Sequence, residues 1–335
     1  MDTIYIKAED IKGIQKGGEI LQKGGLVAFP TETVYGLGAN GLDETAVKEI
    51  YVAKGRPSDN PLILHITSME DAEKIAYLND NAIKMAGVFW PGPLTMVLPK
   101  KDIVPKVVTG GLSTVAIRMP SNDTARNLIS CAGVPVAAPS ANTSGKPSPT
   151  DADAVKQDLD GKIHMIIDGG QCHIGIESTV LDLSGEVPMI LRPGEITLDM
   201  IKKVLPTCEM EPGLCDSEKT SKVPKCPGMK YKHYSPDAQV IVFEESGKGK
   251  ITEYIEKYKD KKVAVYCKNG ETYPAENVFY WGENAHHMAR KLFSDLRNFD
   301  KSGFEIVLCV CPEMSQMGQS VRNRLYKSAG YNIVK

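Results

Sequence analysis

Residues 24–66 read GGLVAFPTETVYGLGANGLDETAVKEIYVAKGRPSDNPLILHI, and this stretch decides the fold. The apolar run at residues 26–29 predicts a short buried strand that Pro30 ends. Thr31, Glu32 and Thr33 then offer two hydroxyls and a carboxylate where the strand opens. Gly36, Gly38 and Gly41 predict a tightly turning loop whose backbone can approach a ligand. Asp43 is a good cap for a helix whose apolar positions Ala46, Ile50 and Ala53 recur at helical spacing, up to Lys54-Gly55-Arg56-Pro57. A polar loop with Ser58, Asp59 and Asn60 leads into a second apolar run, residues 62–66. Strand, polar loop with cations, helix and strand is the pattern of an α/β sheet that binds ligands beside its strand ends.

Working outward, residues 1–206 alternate strand-like and helix-like segments, which predicts an α/β domain with a mixed, twisted sheet. Residues 207–236 lose the apolar period and are rich in Gly, Pro, Lys and Ser, as a linker is. That linker is longer than a compact domain needs, which points to a functional loop, and its basic, aromatic end MKYKHY suits covering phosphates or stacking on a base. Residues 237–335 return to alternating strands and helices and predict a small Rossmann-like parallel-sheet domain without a glycine-rich phosphate fingerprint.

Composition sets bounds on function. With 335 residues, 42% hydrophobic and 24% charged, the chain has enough material for two cores. A formal net charge of −2 argues against a broad nucleic-acid-binding surface but leaves room for a local basic pocket. The N-terminal MDTIYIKAED has no basic stretch before an apolar core, and no run reaches the length of a membrane span, so a cytoplasmic protein is expected. The 8 cysteines form no CxxC pair; Cys309 and Cys311 read as core residues on one strand face, and the irregular spacing of Cys208, Cys215 and Cys226 weighs against a zinc or redox role without closing it.

Four clusters carry the chemistry. The opening stretch supplies Thr31, Thr33, Lys54, Arg56, Asn60 and His65; a strand at residues 114–118 carries Thr114, Ala116 and Arg118 on one face. Ala138-Pro-Ser140-Ala-Asn142 runs into a hydroxyl-rich loop with Lys146 and Ser148, and Glu177-Ser178-Thr179 with Arg192-Pro-Gly194 complete the set. Singly, each has a bland reading: a surface arginine, turn residues at Ser140 and Asn142, a satisfied partly buried His65, tyrosines that anchor a linker. Their recurrence as strand, polar loop and cation describes a pocket for an anionic, phosphate-bearing ligand. The chain has no GxxxxGK[ST], no HExxH and no GxSxG, so neither a P-loop, a zincin nor a nucleophile-elbow hydrolase is indicated.

Taken together, FPTETVYGL, KGRP, the Ser140-x-Asn142 pair, ESTV and LRPG resemble the threonylcarbamoyl-AMP synthase family, with its YrdC-like fold, in the longer form that carries a C-terminal α/β domain. The resemblance implies an enzyme that joins L-threonine, bicarbonate or CO₂, and ATP, giving threonylcarbamoyl-AMP, pyrophosphate and water. A partner tRNA threonylcarbamoyl transferase would consume the product, and Mg²⁺ is expected with the triphosphate. It further implies catalytic roles for Lys54, Arg56, Ser140 and Asn142 at the phosphates and carbamate. Arg56, Asn60, Thr114, Ser140, Ser148 and Arg192 fall on the ATP side, together with Tyr231 and Tyr234 of a loop that folds over the site. Thr33, His65, Arg118, Ala138 and Ser178 fall on the threonine side, and no dedicated protein metal site is expected. Two other readings stay open on the sequence: an RNA-binding module without adenylation activity, and a carbamoyl-adenylate enzyme of hydrogenase maturation. The second expects zinc-finger-like CxxC pairs that this chain lacks.

Overall fold

The computed structural model describes residues 1–214 and 233–335. In chain order the strands are β1 (Ile4–Lys7), β2 (Val27–Phe29), β3 (Gly36–Asn40), β4 (Ile63–His65), β5 (Leu94–Pro99), β6 (Thr114–Arg118), β7 (Val136–Ala137) and β8 (Met165–Asp168). They continue with β9 (Thr179–Asp182), β10 (Met189–Arg192), β11 (Glu209–Met210), β12 (Gln239–Phe243), β13 (Val263–Cys267), β14 (Val278–Tyr280), β15 (Ile306–Val310) and β16 (Ile333–Val334). Among the described residues, 11 strands form a first sheet in the order β1-β8-β2-β3-β7-β4-β6-β5-β9-β10-β11. Parallel and antiparallel pairs alternate irregularly across it, so the sheet is mixed as expected.

Residue alternation splits the first domain's core into two layers. Val27 and Phe29 pack with Ile14, Leu21, Leu128 and Ile129 on one face. Ala28 points the other way, among Leu37, Val47, Ile50 and Leu64. The cap expected at Asp43 forms, accepting from Thr45 N and Ala46 N at the start of Glu44–Lys54, and Asp10 caps Ile11–Gln22 by accepting from Gly13 N. Gly55 ends that second helix in the left-handed conformation, φ 60°.

One expectation is corrected here. Gly36 and Gly38 do not turn a loop; they lie in β3, an extended strand between β2 and β7. Their small size serves packing: a Cβ at Gly38 would stand 2.8 Å from Val136 Cγ1 and 2.9 Å from Phe29 Cε1. β1 and β11 were also not expected from the sequence, being an edge strand and a two-residue strand inside the stretch read as linker.

The second sheet has the order β14-β13-β15-β12-β16 with every pair parallel. Val240 and Val242 face one core layer, Ile241 and Phe243 the other. Cys309 and Cys311 share the first of these layers, as small apolar side chains. That layer also takes in Val34 and Ile176 from the first domain, so the two domains share packed residues next to Thr33. At Gly175, φ +85°, a Cβ would come within 2.5 Å of Ala289 O and Arg290 Cα in the helix Ala285–Lys301. No helix among the described residues is long and apolar enough to cross a membrane.

Candidate active site

Strand register brings the first functional side chains together. Arg118 at the end of β6 is opposite His65 on parallel β4 and Thr95 on antiparallel β5, so the three stand in one row across the sheet. The loop after β2 closes over this row. Arg118 Nη1 donates to Thr33 Oγ1 at 2.9 Å, Nη2 lies 2.6 Å from Glu32 Oε1, and Nε donates to Gly92 O at 3.3 Å. Thr95 Oγ1 and Ser178 Oγ share a hydrogen bond of 2.8 Å. Arg192 Nε donates to Ser178 O at 3.0 Å and Nη2 to Ser178 Oγ at 3.1 Å.

Thr33, His65, Arg118, Ser178 and Arg192 line a cleft of about 580 Å³, counting the solvent at its mouth, with Glu32 and Thr95 behind them. Arg56 stands at the wall, where its Nη2 donates to Pro61 O at 3.2 Å and to Asn60 O at 3.4 Å. Ser140 also lines the cleft, its backbone bridged to Gly36, and its hydroxyl donates to Asn142 Oδ1 at 2.5 Å. Two carboxylates face the arginines: Glu32 pairs with Arg118, and Glu177 pairs with Arg324 at 3.1 Å. Arg56 and Arg192 add further positive charge, which suits an anionic guest.

Burial tunes the site. It pushes the Glu32 carboxyl up, but the neighbouring Arg118 guanidinium more than reverses this and holds the group below its ordinary value. Glu177 behaves alike, with Arg324 and Arg192 overcoming the effect of burial. Burial, helped by Arg118, lowers His65 to about 3, so its imidazole is neutral at ordinary pH. His233 is lowered to about 3 by burial and by Arg56, and its Nε2 has no hydrogen-bond partner among the described residues.

Comparison with known proteins settles the family. A profile described as "Telomere recombination" matches residues 19–194, and one described as "Threonylcarbamoyl-AMP synthase, C-terminal domain" matches residues 196–330. A Pyrococcus abyssi protein named threonylcarbamoyl-AMP synthase is 50% identical over 94% of this chain and 93% of its own. The chain belongs to the threonylcarbamoyl-AMP synthase family. A Bacillus subtilis protein of the same name is 42% identical over 96% of this chain and 94% of its own. The crystal structure of Pyrococcus abyssi Sua5 complexed with L-threonine superposes with a TM-score of 0.94 at 48% identity, covering 100% of this chain and 99% of that one.

Of the residues expected at a threonylcarbamoyl-AMP synthase site, Thr33, Arg56, His65, Arg118, Ala138, Ser140, Ser178, Arg192 and Tyr234 line the cleft. Asn142 lies behind Ser140, and Ser148 donates to Glu177 Oε1 at 2.6 Å, one residue removed from the opening. Asn60 is buried, its Oδ1 without a partner among the described residues. Thr114 is not brought in: it pairs with Pro99 at the far end of β6 from Arg118. Tyr231 lies outside the described residues. Tyr234 lines the cleft but stacks its ring on Phe293 of the second domain, centroids 5.1 Å apart, so one ring face is already covered.

Lys54 has a different place from the one expected. It is buried, and its ammonium is directed to Ser140 O and Asn142 O, each at 2.5 Å, and to Asn142 Oδ1 at 3.4 Å. Its three donors have three acceptors, so it orders the Ser140–Asn142 loop and does not face the cleft. Sequence reading noted the Glu32 carboxylate, counted Glu177 in a site cluster and set His233 in the covering loop, but gave none of the three a binding role. The placement of Glu32 between two threonines and of Glu177 beside Ser178 was the available signal.

Proposed function

We propose that this cleft makes threonylcarbamoyl-AMP from L-threonine, bicarbonate and ATP. The observation that carries the reading is the convergence of Arg118, Thr33, His65 and Ser178 in one cleft with Arg56 and Arg192. A relative with 48% identity over the whole chain was crystallised with L-threonine, which adds support. In this reading Arg118 takes the threonine carboxylate and the Thr33 and Ser178 hydroxyls read the amine and side chain. Neutral His65 sets no positive charge against the substrate ammonium. The amine, once it has lost a proton, bonds to the carbon of bicarbonate, and water leaves. The resulting carbamate oxygen attacks the α-phosphorus of ATP in line, and pyrophosphate departs. Arg56, Arg192 and the Ser140 hydroxyl offset the phosphate charge, with Lys54 and Asn142 fixing Ser140.

Mg²⁺ would enter with the triphosphate, held by phosphate oxygens and water. Glu32 and Glu177, the carboxylates beside the cleft, each pair with an arginine, and no step is assigned to the ion. Residues 1–206 would form the catalytic domain, 207–236 the linker with a covering loop, and 237–335 the small domain. The product would pass in the cytoplasm to a tRNA threonylcarbamoyl transferase. Pyrophosphate release from ATP, measured with and without L-threonine and bicarbonate and with serine as control, tests the reading. Release that needs both substrates, with the adenylate seen by mass spectrometry, supports it. Release indifferent to threonine, or none together with tight tRNA binding, overturns it.

A further inference from the structure

Among the described residues none after Tyr234 lines the cleft, yet the second domain reaches its walls through a buried arginine. Arg324, on the helix Gln316–Ser328, is fully enclosed. Its Nε lies 3.1 Å from Glu177 Oε2 and its Nη2 donates to Glu177 O at 3.1 Å. Its Nη1 donates to Pro193 O, and to Ser320 O at 3.4 Å. One turn earlier, Ser320 Oγ donates to Gly194 O at 2.9 Å. A single planar guanidinium thus joins the loop that carries Ser178 to the loop that follows Arg192 at the end of β10. The other oxygen of Glu177 accepts from Ser148, so the same arginine also governs that hydroxyl.

We propose that Arg324 is a positioning residue for the catalytic cleft, and that fixing these loops is what the second domain does for the chemistry. The inference rests on the functional reading given above. Arg192 holds both the carbonyl and the hydroxyl of Ser178, so a shift in either loop displaces a nucleotide-side cation and a threonine-side hydroxyl together. Without the arginine, Glu177 is a buried charge that its remaining neighbours must accommodate by moving. Misplacement of binding groups by about 1 Å is enough to cost up to about a hundredfold in rate.

The test compares full-length R324K and R322K. Lysine keeps the charge at 324 but cannot span Glu177 and Pro193 with one fork. Arg322 is a matched reference, a buried arginine on the same helix whose bonds go to Pro312 O and Tyr326 within the second domain. In steady-state pyrophosphate release, R324K is expected to raise the KM for ATP by about tenfold to a hundredfold with a smaller fall in kcat. R322K is expected to lose thermal stability while keeping both constants. Combined with S148A, R324K adds little further loss, because both act through Glu177. An unchanged KM in R324K, an equal rise in R322K, or full additivity with S148A overturns the proposal. If R324K does not fold, S320A carries the test, and an unchanged KM for ATP there overturns it. A wild-type protein that releases no pyrophosphate refutes the functional reading instead. The positioning role is then decided by calorimetric ATP affinity of wild type against R324K, where equal affinities overturn it.

Discussion

Arg118 Nη2 sits 2.6 Å from Glu32 Oε1, with both residues buried. The guanidinium that receives the substrate carboxylate in the proposed reading is thus aimed by a carboxylate of its own chain, three residues past the end of β2. Such a pair presets geometry more than it adds stability, since two charges have been taken out of water to make it.

E32Q should therefore disturb both. Removing one charge of a buried pair lowers stability by about 3 kcal/mol. The KM for L-threonine should rise about tenfold as Arg118 loses its aim. Chemical denaturation and steady-state kinetics check this, and wild-type threonine affinity in the variant would rule out the role. Because Glu32 and Glu177 are held below the ordinary 4.5, their stabilisation is complete above that pH and is lost as pH falls through the lowered folded values. The acid limb of stability should be shallower in E32Q.

The two site histidines make a separate pH prediction. Burial holds His65 and His233 at about 3, against 6.5 for the unfolded chain. Above pH 6.5 they contribute nothing to the pH dependence of stability. As pH falls from 6.5 towards 3, the unfolded chain takes up protons that the folded chain refuses, so stability drops. Imidazole NMR signals of both should show no titration between about pH 5 and 8. A midpoint near 6.5 for either would contradict the enclosed geometry.

K54M should act through the loop it orders. Loss of the ammonium leaves Ser140 O and Asn142 O without their donor, costing about 2 kcal/mol. The displaced Ser140 hydroxyl should lower pyrophosphate release about a hundredfold. K54R should not rescue it, because a guanidinium does not fit the space of a compact ammonium. Full activity in K54M would show that the loop holds without it.

R297L probes the union of the domains. Arg297 from the helix Ala285–Lys301 makes two bonds to Asp158, of 2.8 and 3.1 Å, and donates to Pro147 O. Asp158 in turn accepts from Thr143 N at 2.9 Å, so the loop after Asn142 is held from the second domain. The substitution should cost about 3 kcal/mol and split the calorimetric unfolding into two transitions. A single unchanged transition would argue that apolar contacts alone join the domains.

How much of this was legible in the sequence follows from the range of each interaction. The cap at Asp43, the strand at residues 114–118, and the clusters around Thr33, Arg118, Ser140 and Ser178 could be read directly. They depend on residues within a few positions of one another or on side-chain alternation along a strand. β3 was not legible, because its glycines, which mark turns in isolation, are needed where strands and the Phe29 ring crowd together. The function of each charge was not legible either. Lys54 finds its acceptors 86 and 88 residues away, and Arg324 meets Glu177 across 147. The sequence by itself determined which chemical groups this protein has and the local elements that carry them, since those rest on short-range backbone and periodicity rules. Only the tertiary structure decided which cations face the cleft and which are consumed in holding it, because a buried charge takes whatever partner the packed chain brings within reach.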